Sequence, residues 1–277
     1  MNSRLKLVFI GIFIVLSIFL PRSGKLRLIN SVKVQAQATS YDQAFQSYLS
    51  TLDNYRKQVT EFENAKTFYL QAKTLNQKER VRLETYDMLR SRDELLNAYV
   101  IVLRARLMET PDHPGNEKGD IVEALRHEYE WYELQKNIYN QSSDTIEMLF
   151  GESKITEDHY NQITAPLVYR SLSTLAYSKF LDAKIRHENI YKVLAEKVAG
   201  ADASKSELYQ RWTVDIINEF QTITNYELEA KTLRENIAKS PGSAKSIYDR
   251  FISIVNNAEE SFIRLNGFLH ELYYAVR

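Results

Sequence analysis

The chain has no cysteine. That excludes disulfides, thiolate zinc sites, iron–sulfur clusters and a cysteine nucleophile. Glycine (8) and proline (5) are scarce for 277 residues. A sandwich or barrel of many short strands needs more turn formers, and a collagenous or low-complexity chain needs more still, so those classes are excluded too. An excess of one charge is also missing, because 36 Lys+Arg balance 36 Asp+Glu. No global bias toward nucleic acid follows from that balance. Long apolar runs are confined to the first 38 residues. The longest later one, Leu95–Leu103, is interrupted by Asn97 and is too short to span a bilayer. What is present is 44% hydrophobic and 26% charged residues, enough to bury a core.

Met1–Ala38 holds no Asp or Glu and six basic residues: Arg4, Lys6, Arg22, Lys25, Arg27 and Lys33. Leu7–Leu20 is apolar apart from Gly11 and Ser17, and Pro21 ends it. As a helix it would cover about 21 Å, the size of a signal-peptide core and short of a roughly 30 Å hydrocarbon layer. Ala36-Gln37-Ala38 supplies the small-x-small pattern of a signal peptidase site, with cleavage before Thr39. The distance from Leu20 to Ala38 is long for such a site, and the four basic residues after Pro21 oppose translocation. Residues 1–38 therefore read as a signal peptide or as a retained N-terminal membrane anchor. Without them the body, residues 39–277, keeps 30 basic against 36 acidic side chains, a net charge near −6. A mildly acidic body is poorly suited to nucleic acid or to an anionic membrane surface, so no nucleic-acid partner is expected and membrane contact is expected only through the N-terminal segment.

From Tyr41 onward the period is helical. Tyr41, Phe45, Tyr48, Leu52, Tyr55, Val59 and Phe62 follow one another in steps of four and three, which is a heptad seam. Thr74-x-x-Gln77 predicts the start of a second helix by a capping box. Thr110-Pro111 through Pro114-Gly115 predicts its end. A third helix is expected from near Glu117, weakened by Ser142-Ser143-Asp144 and Gly151. Thr156 reads as the N-cap of a fourth, with Pro166 either kinking it or moving its start, and a stop at Gly200. Ser204-x-x-Glu207 opens a fifth, and Ser240-Pro241-Gly242-Ser243 separates it from the last. The expected fold is an all-α, elongated antiparallel bundle of five to six long helices with coiled-coil-like seams, forming one domain over 39–277. A split near 110–118 is the alternative.

Tyrosine is abundant, 18 residues, and it occupies seam positions where Leu or Ile is usual. Spacing alone allows two roles for the face of Tyr41, Phe45, Tyr48, Tyr55 and Phe62. It is either bundle core or a surface for another protein.

A search for chemistry gives negatives. None of the five His residues follows a Glu by three positions, so the Glu-x-x-His pairs of di-iron bundles are missing. His127 and His187 precede Glu without the second His of a zinc-protease helix. Glu123 and His127, four apart, read as a surface ion pair. His187 falls on an apolar stripe and reads as a structural histidine. Phosphate loops and nucleophile elbows are absent. The charges around Arg80, Arg82, Arg90, Arg92, Asp93 and Glu94 are mixed in sign and read as a salt-bridged surface. No metal, cofactor or catalytic residue is expected. The expected role is structural or interaction-based, through helical faces that meet another protein or a second copy, in a cell envelope. The alternative is an extracytoplasmic ligand-binding or sensory bundle, with Trp131 or Trp212 near its pocket.

Overall fold

The computed structural model describes residues 40–113, 117–200 and 206–276. The N-terminal segment with Ala36, Ala38 and Thr39, the Gly115 break and Ser204 lie outside the described residues. The helices are α1 Tyr41–Ala72, α2 Leu75–Glu109, α3 Lys118–Gln135, α4 Ile146–His159, α5 Ala165–Ala199, α6 Ser206–Lys239 and α7 Ala244–Ala275. A π-helical turn, Tyr160–Thr164, joins α4 to α5 without a break, so the seven helices make six rods. There is no strand among the described residues. The all-α bundle expected from the sequence is the one that forms.

Helix ends follow side-chain chemistry. Ser40 and Gln43 cap α1 reciprocally, Gln43 N donating to Ser40 Oγ (3.3 Å) and Ser40 N to Gln43 Oε1 (3.4 Å). Thr74 caps α2 by accepting from Gln77 N at 3.2 Å, as its position predicts, but the return bond of a capping box is not made and Gln77 Oε1 has no partner among the described residues. Between them Lys73 turns the chain in the left-handed region, φ 48°, which glycine adopts at lower cost.

Two expectations fail in α4. Its N-cap is Thr145, whose hydroxyl accepts from Met148 N at 3.3 Å. Thr156 lies inside the helix and is buried. The chain leaves the helix after Gln135 and turns at 136–138 and again at 141–143, which leaves Thr145 placed to cap. Gly151 interrupts nothing and sits within α4. Pro166 causes no break. It lies in the first turn of α5, just after the π turn, where its missing N–H and the bulk of its ring are accommodated by the wider i→i+5 geometry.

The helices pack in two regions that share α5. In the first, α1 runs antiparallel to α2. Tyr41 N donates to Glu109 Oε1 (2.9 Å) at one end, Tyr48 meets Tyr99 midway (5.7 Å between rings), and Arg80 lies over Phe68 near the turn (6.0 Å). α3, α4 and α5 also pack on α2. As a result α2 is buried on most of its circumference from Thr85 to Leu107. In the second region α6 runs antiparallel to α5 and α7. Lys184 reaches Glu227 (2.5 Å), Tyr191 meets Phe220, and Tyr209 Oη donates to Ala275 O (2.9 Å). Its core joins Phe180 and Leu194 to Ile216, Ile223, Leu265 and Leu272. In α5 every residue from Ser171 to Ser178 is buried. Small hydroxyl residues there turn back on their own helix, Ser171 Oγ to Leu167 O (2.7 Å) and Ser173 Oγ to Arg170 O (2.9 Å), which lets neighbouring helices approach.

Candidate functional site

The polar centre of the first region grows from a seam on α3. Ile121, Leu125, Glu128, Tyr132, Gln135 and Tyr139, the last just past the helix end, follow in steps of four and three, and all are buried. Two polar residues, Glu128 and Gln135, therefore occupy core positions.

One end of the seam meets Arg92 and Asp93 of α2. This corrects the surface expectation for Arg92 and Asp93, which are buried because α2 has neighbours on several sides, whereas Arg80, Arg82 and Arg90 form the expected pairs with Glu84, Glu79 and Glu94. Arg92 donates to Asp93 Oδ1 (2.8 Å), Ser153 Oγ (2.8 Å) and Tyr139 Oη (3.2 Å). Tyr139 Oη donates to Asp93 Oδ2 at 3.0 Å. The hydroxyl of Thr156, inside α4, also reaches Asp93. Burial works against the Arg92 charge, but Asp93 and Tyr139 outweigh it and raise its pKa. At Asp93 burial wins over Arg92 and the hydroxyls, and the carboxyl is pushed above its ordinary range, so the carboxylate is the weaker partner. Burial also pushes the Tyr139 phenol up to about 12.

The middle of the seam meets the π turn. His159 Nε2 lies 3.0 and 3.1 Å from the two Glu128 oxygens. Thr164 donates to Glu128, which leaves its oxygen to accept from Tyr132 Oη at 2.8 Å. In an α-helix, residues five apart point about 140° away from each other. In i→i+5 geometry five residues make about one turn, so His159 and Thr164 face the same carboxylate. The His159 ring stacks on Trp131, 3.6 Å between centroids and 4° from parallel. The arrangement can fix α3 against the end of α4 and the π turn. Thr164 is 1% exposed with its hydroxyl engaged twice, so it is not placed as a nucleophile.

The other residues singled out by sequence are dispersed. Tyr48, Tyr55 and Phe62 are buried, whereas Tyr41 and Phe45 are half-buried, with Arg106 over the Tyr41 ring at 4.9 Å. Trp212 packs on the core of the second region, away from Trp131. Glu123 and His127 form an exposed pair at 3.3 Å. His187 Nδ1 lies 2.7 Å from Ala183 O. Among the described residues no group of three or more His, Cys, Asp or Glu is placed to hold a metal ion, and no helix is long and apolar enough to cross a membrane. The Glu128–His159 pair was missed because the partners are 31 residues apart in no local motif. The available signal was the unbroken 121–139 spacing, which continues through its polar members.

One surface stands out. Gln210, Val214, Ile217, Gln221, Thr224 and Leu228 on α6 also follow in steps of four and three, on a face away from the core residues Ile216 and Ile223. Val214, Ile217 and Leu228 are each more than half exposed. No position of this second seam bears a charge.

Comparison with known proteins returns no match: no protein family, no curated protein and no solved structure is similar to this chain at a level that establishes relatedness.

Proposed function

We propose that the chain is a non-catalytic protein of the cell envelope, exported or held at the membrane by residues 1–38, that acts by offering helical faces to another protein or to a second copy. The observation that carries the reading is the outer seam of α6. An uncharged heptad pattern with Val214, Ile217 and Leu228 exposed on it has the form of a coiled-coil surface, and exposed apolar side chains grouped on one helix face mark interaction sites. Gln221 at its centre is the kind of polar seam residue that fixes register. The acidic-free N-terminus with its Leu7–Leu20 core supports a place outside the cytoplasm or at the membrane.

The test pairs size-exclusion chromatography and light scattering with affinity capture from envelope fractions, using wild type and Ile217→Glu. The reading expects concentration-dependent association, or capture of a defined protein, that Ile217→Glu removes while leaving the melting curve unchanged. A monomer with the same captured proteins for both chains overturns it.

A ligand-binding or sensory bundle is the second reading. It is favoured by two buried amides in the first region, since Asn97 Oδ1 and Gln135 Nε2 have no hydrogen-bond partner and such atoms are costly to leave unpaired. Native mass spectrometry of the purified chain tests it, because a retained small molecule would move this reading ahead of the first.

A further inference from the structure

From the turn between α1 and α2 we infer that this tip docks on an anionic lipid surface. Residues 66–80 carry Lys66, Lys73, Lys78 and Arg80 against a single acid, Glu79. That balance is the reverse of the body's net negative charge. Glu79 does not cancel the tip lysines, because Arg82 holds it (2.6 and 2.9 Å) and lowers its pKa through that bond. Lys66 is drawn to Glu63 (3.3 Å), and Arg80 lies a long 3.9 Å from Glu84. Lys73 and Lys78 make no ion pair among the described residues. The acid that feels Lys78 from the neighbouring helix is Glu147 of α4.

Among these charges stand three large apolar side chains in water: Leu75 is 85% exposed, Leu70 60% and Phe68 49%. Neither the lysines nor the apolar side chains identify the occupant alone. Protein interfaces are depleted in lysine. A lipid surface takes both kinds of side chain: apolar tips enter the headgroup–acyl boundary while lysines sit among the phosphates. The tip is narrow and convex, joining antiparallel helices through two residues, a shape that enters a soft surface more readily than it fills a groove. Tyr41 lies at the other end of the hairpin, about 48 Å away along α1.

The absence of cysteine gives a local probe. Leu75→Cys in the full chain is labelled with an environment-sensitive fluorophore and mixed with phosphatidylcholine vesicles, with and without phosphatidylglycerol. The inference expects a blue shift and brightening with the anionic vesicles only, reversed by salt. The same label at Asn54→Cys, exposed midway along α1, should stay unchanged. Lys73→Glu with Lys78→Glu should weaken the response about 25-fold or more, since each lysine near an anionic surface contributes about fivefold. A Leu75 label that ignores anionic vesicles, or that answers neutral ones equally, overturns the inference.

Discussion

The two regions that share α5 solve the same packing problem with different cores. Of the five buried charged residues among those described, Arg92, Asp93, Glu128 and Asp144 belong to the first region, and only Arg234 lies in α6. In the second region α6 and α7 each turn one apolar stripe inward, and α7 shows it plainly in Phe251, Ala258, Leu265 and Leu272, spaced by sevens. In the first, α2 touches four other helices. A helix enclosed in this way keeps only a narrow outward face, where Arg90 and Glu94 pair, so the polar residues turned inward must find partners inside. The comparison teaches that a buried polar network is here the consequence of a helix being surrounded.

The largest effect that tests this contrast is Arg92→Met. It leaves Asp93 buried without its guanidinium, which should cost about 3–5 kcal/mol at neutral pH in urea denaturation. The sign with pH is fixed by the raised Asp93 carboxyl. A raised group contributes stability that is fully present below its ordinary range and is lost as pH rises through the raised value. The Arg92→Met deficit should therefore shrink toward acid pH, and Arg92→Met with Asp93→Leu should recover most of it. A deficit independent of pH would show that the network is held by packing. In the second region, Leu265→Ala should cost about 3 kcal/mol through cavity formation, with no dependence on pH between the two chains. A strong pH dependence there would erase the contrast.

Smaller effects sharpen the comparison. Glu128→Gln weakens the bonds to His159 and Thr164 and should cost about 2 kcal/mol. Quenching or dequenching of Trp131 against the stacked His159 ring would report the change locally. Lys73→Gly should stabilise by up to about 1 kcal/mol, because glycine takes the left-handed turn without strain. A loss of stability on that change would mean that the Lys73 side chain makes a contact worth more than the strain it causes.

The parts of this fold legible in the sequence are those where one local feature decides. Thr74 starts α2, Gly200 ends α5, and Pro241 separates α6 from α7, because capping and ring geometry act within a few residues. The seam from Tyr41 to Phe62 is legible as a face, though burial of Tyr48 and Tyr55 depends on α2 lying opposite. Arg92 and Asp93 are not legible as buried residues. Their neighbours in sequence are charged, and only contacts with Tyr139, Ser153 and Thr156, more than forty positions away, remove them from water. The π turn is hidden for a similar reason. Pro166 signals a disturbance, but whether the chain breaks, kinks or widens depends on Glu128, which holds His159 and Thr164 together.

The sharing of α5 has a consequence for how the molecule comes apart. Ser171–Ser178 is enclosed by helices from both regions, so neither region can shed it alone. Amide hydrogens along that stretch should exchange only when the whole body opens, whereas those near Lys73 should exchange through local fraying. With Trp131 in one region and Trp212 in the other, a single unfolding transition seen at both would be the signature of α5 acting as a common clasp.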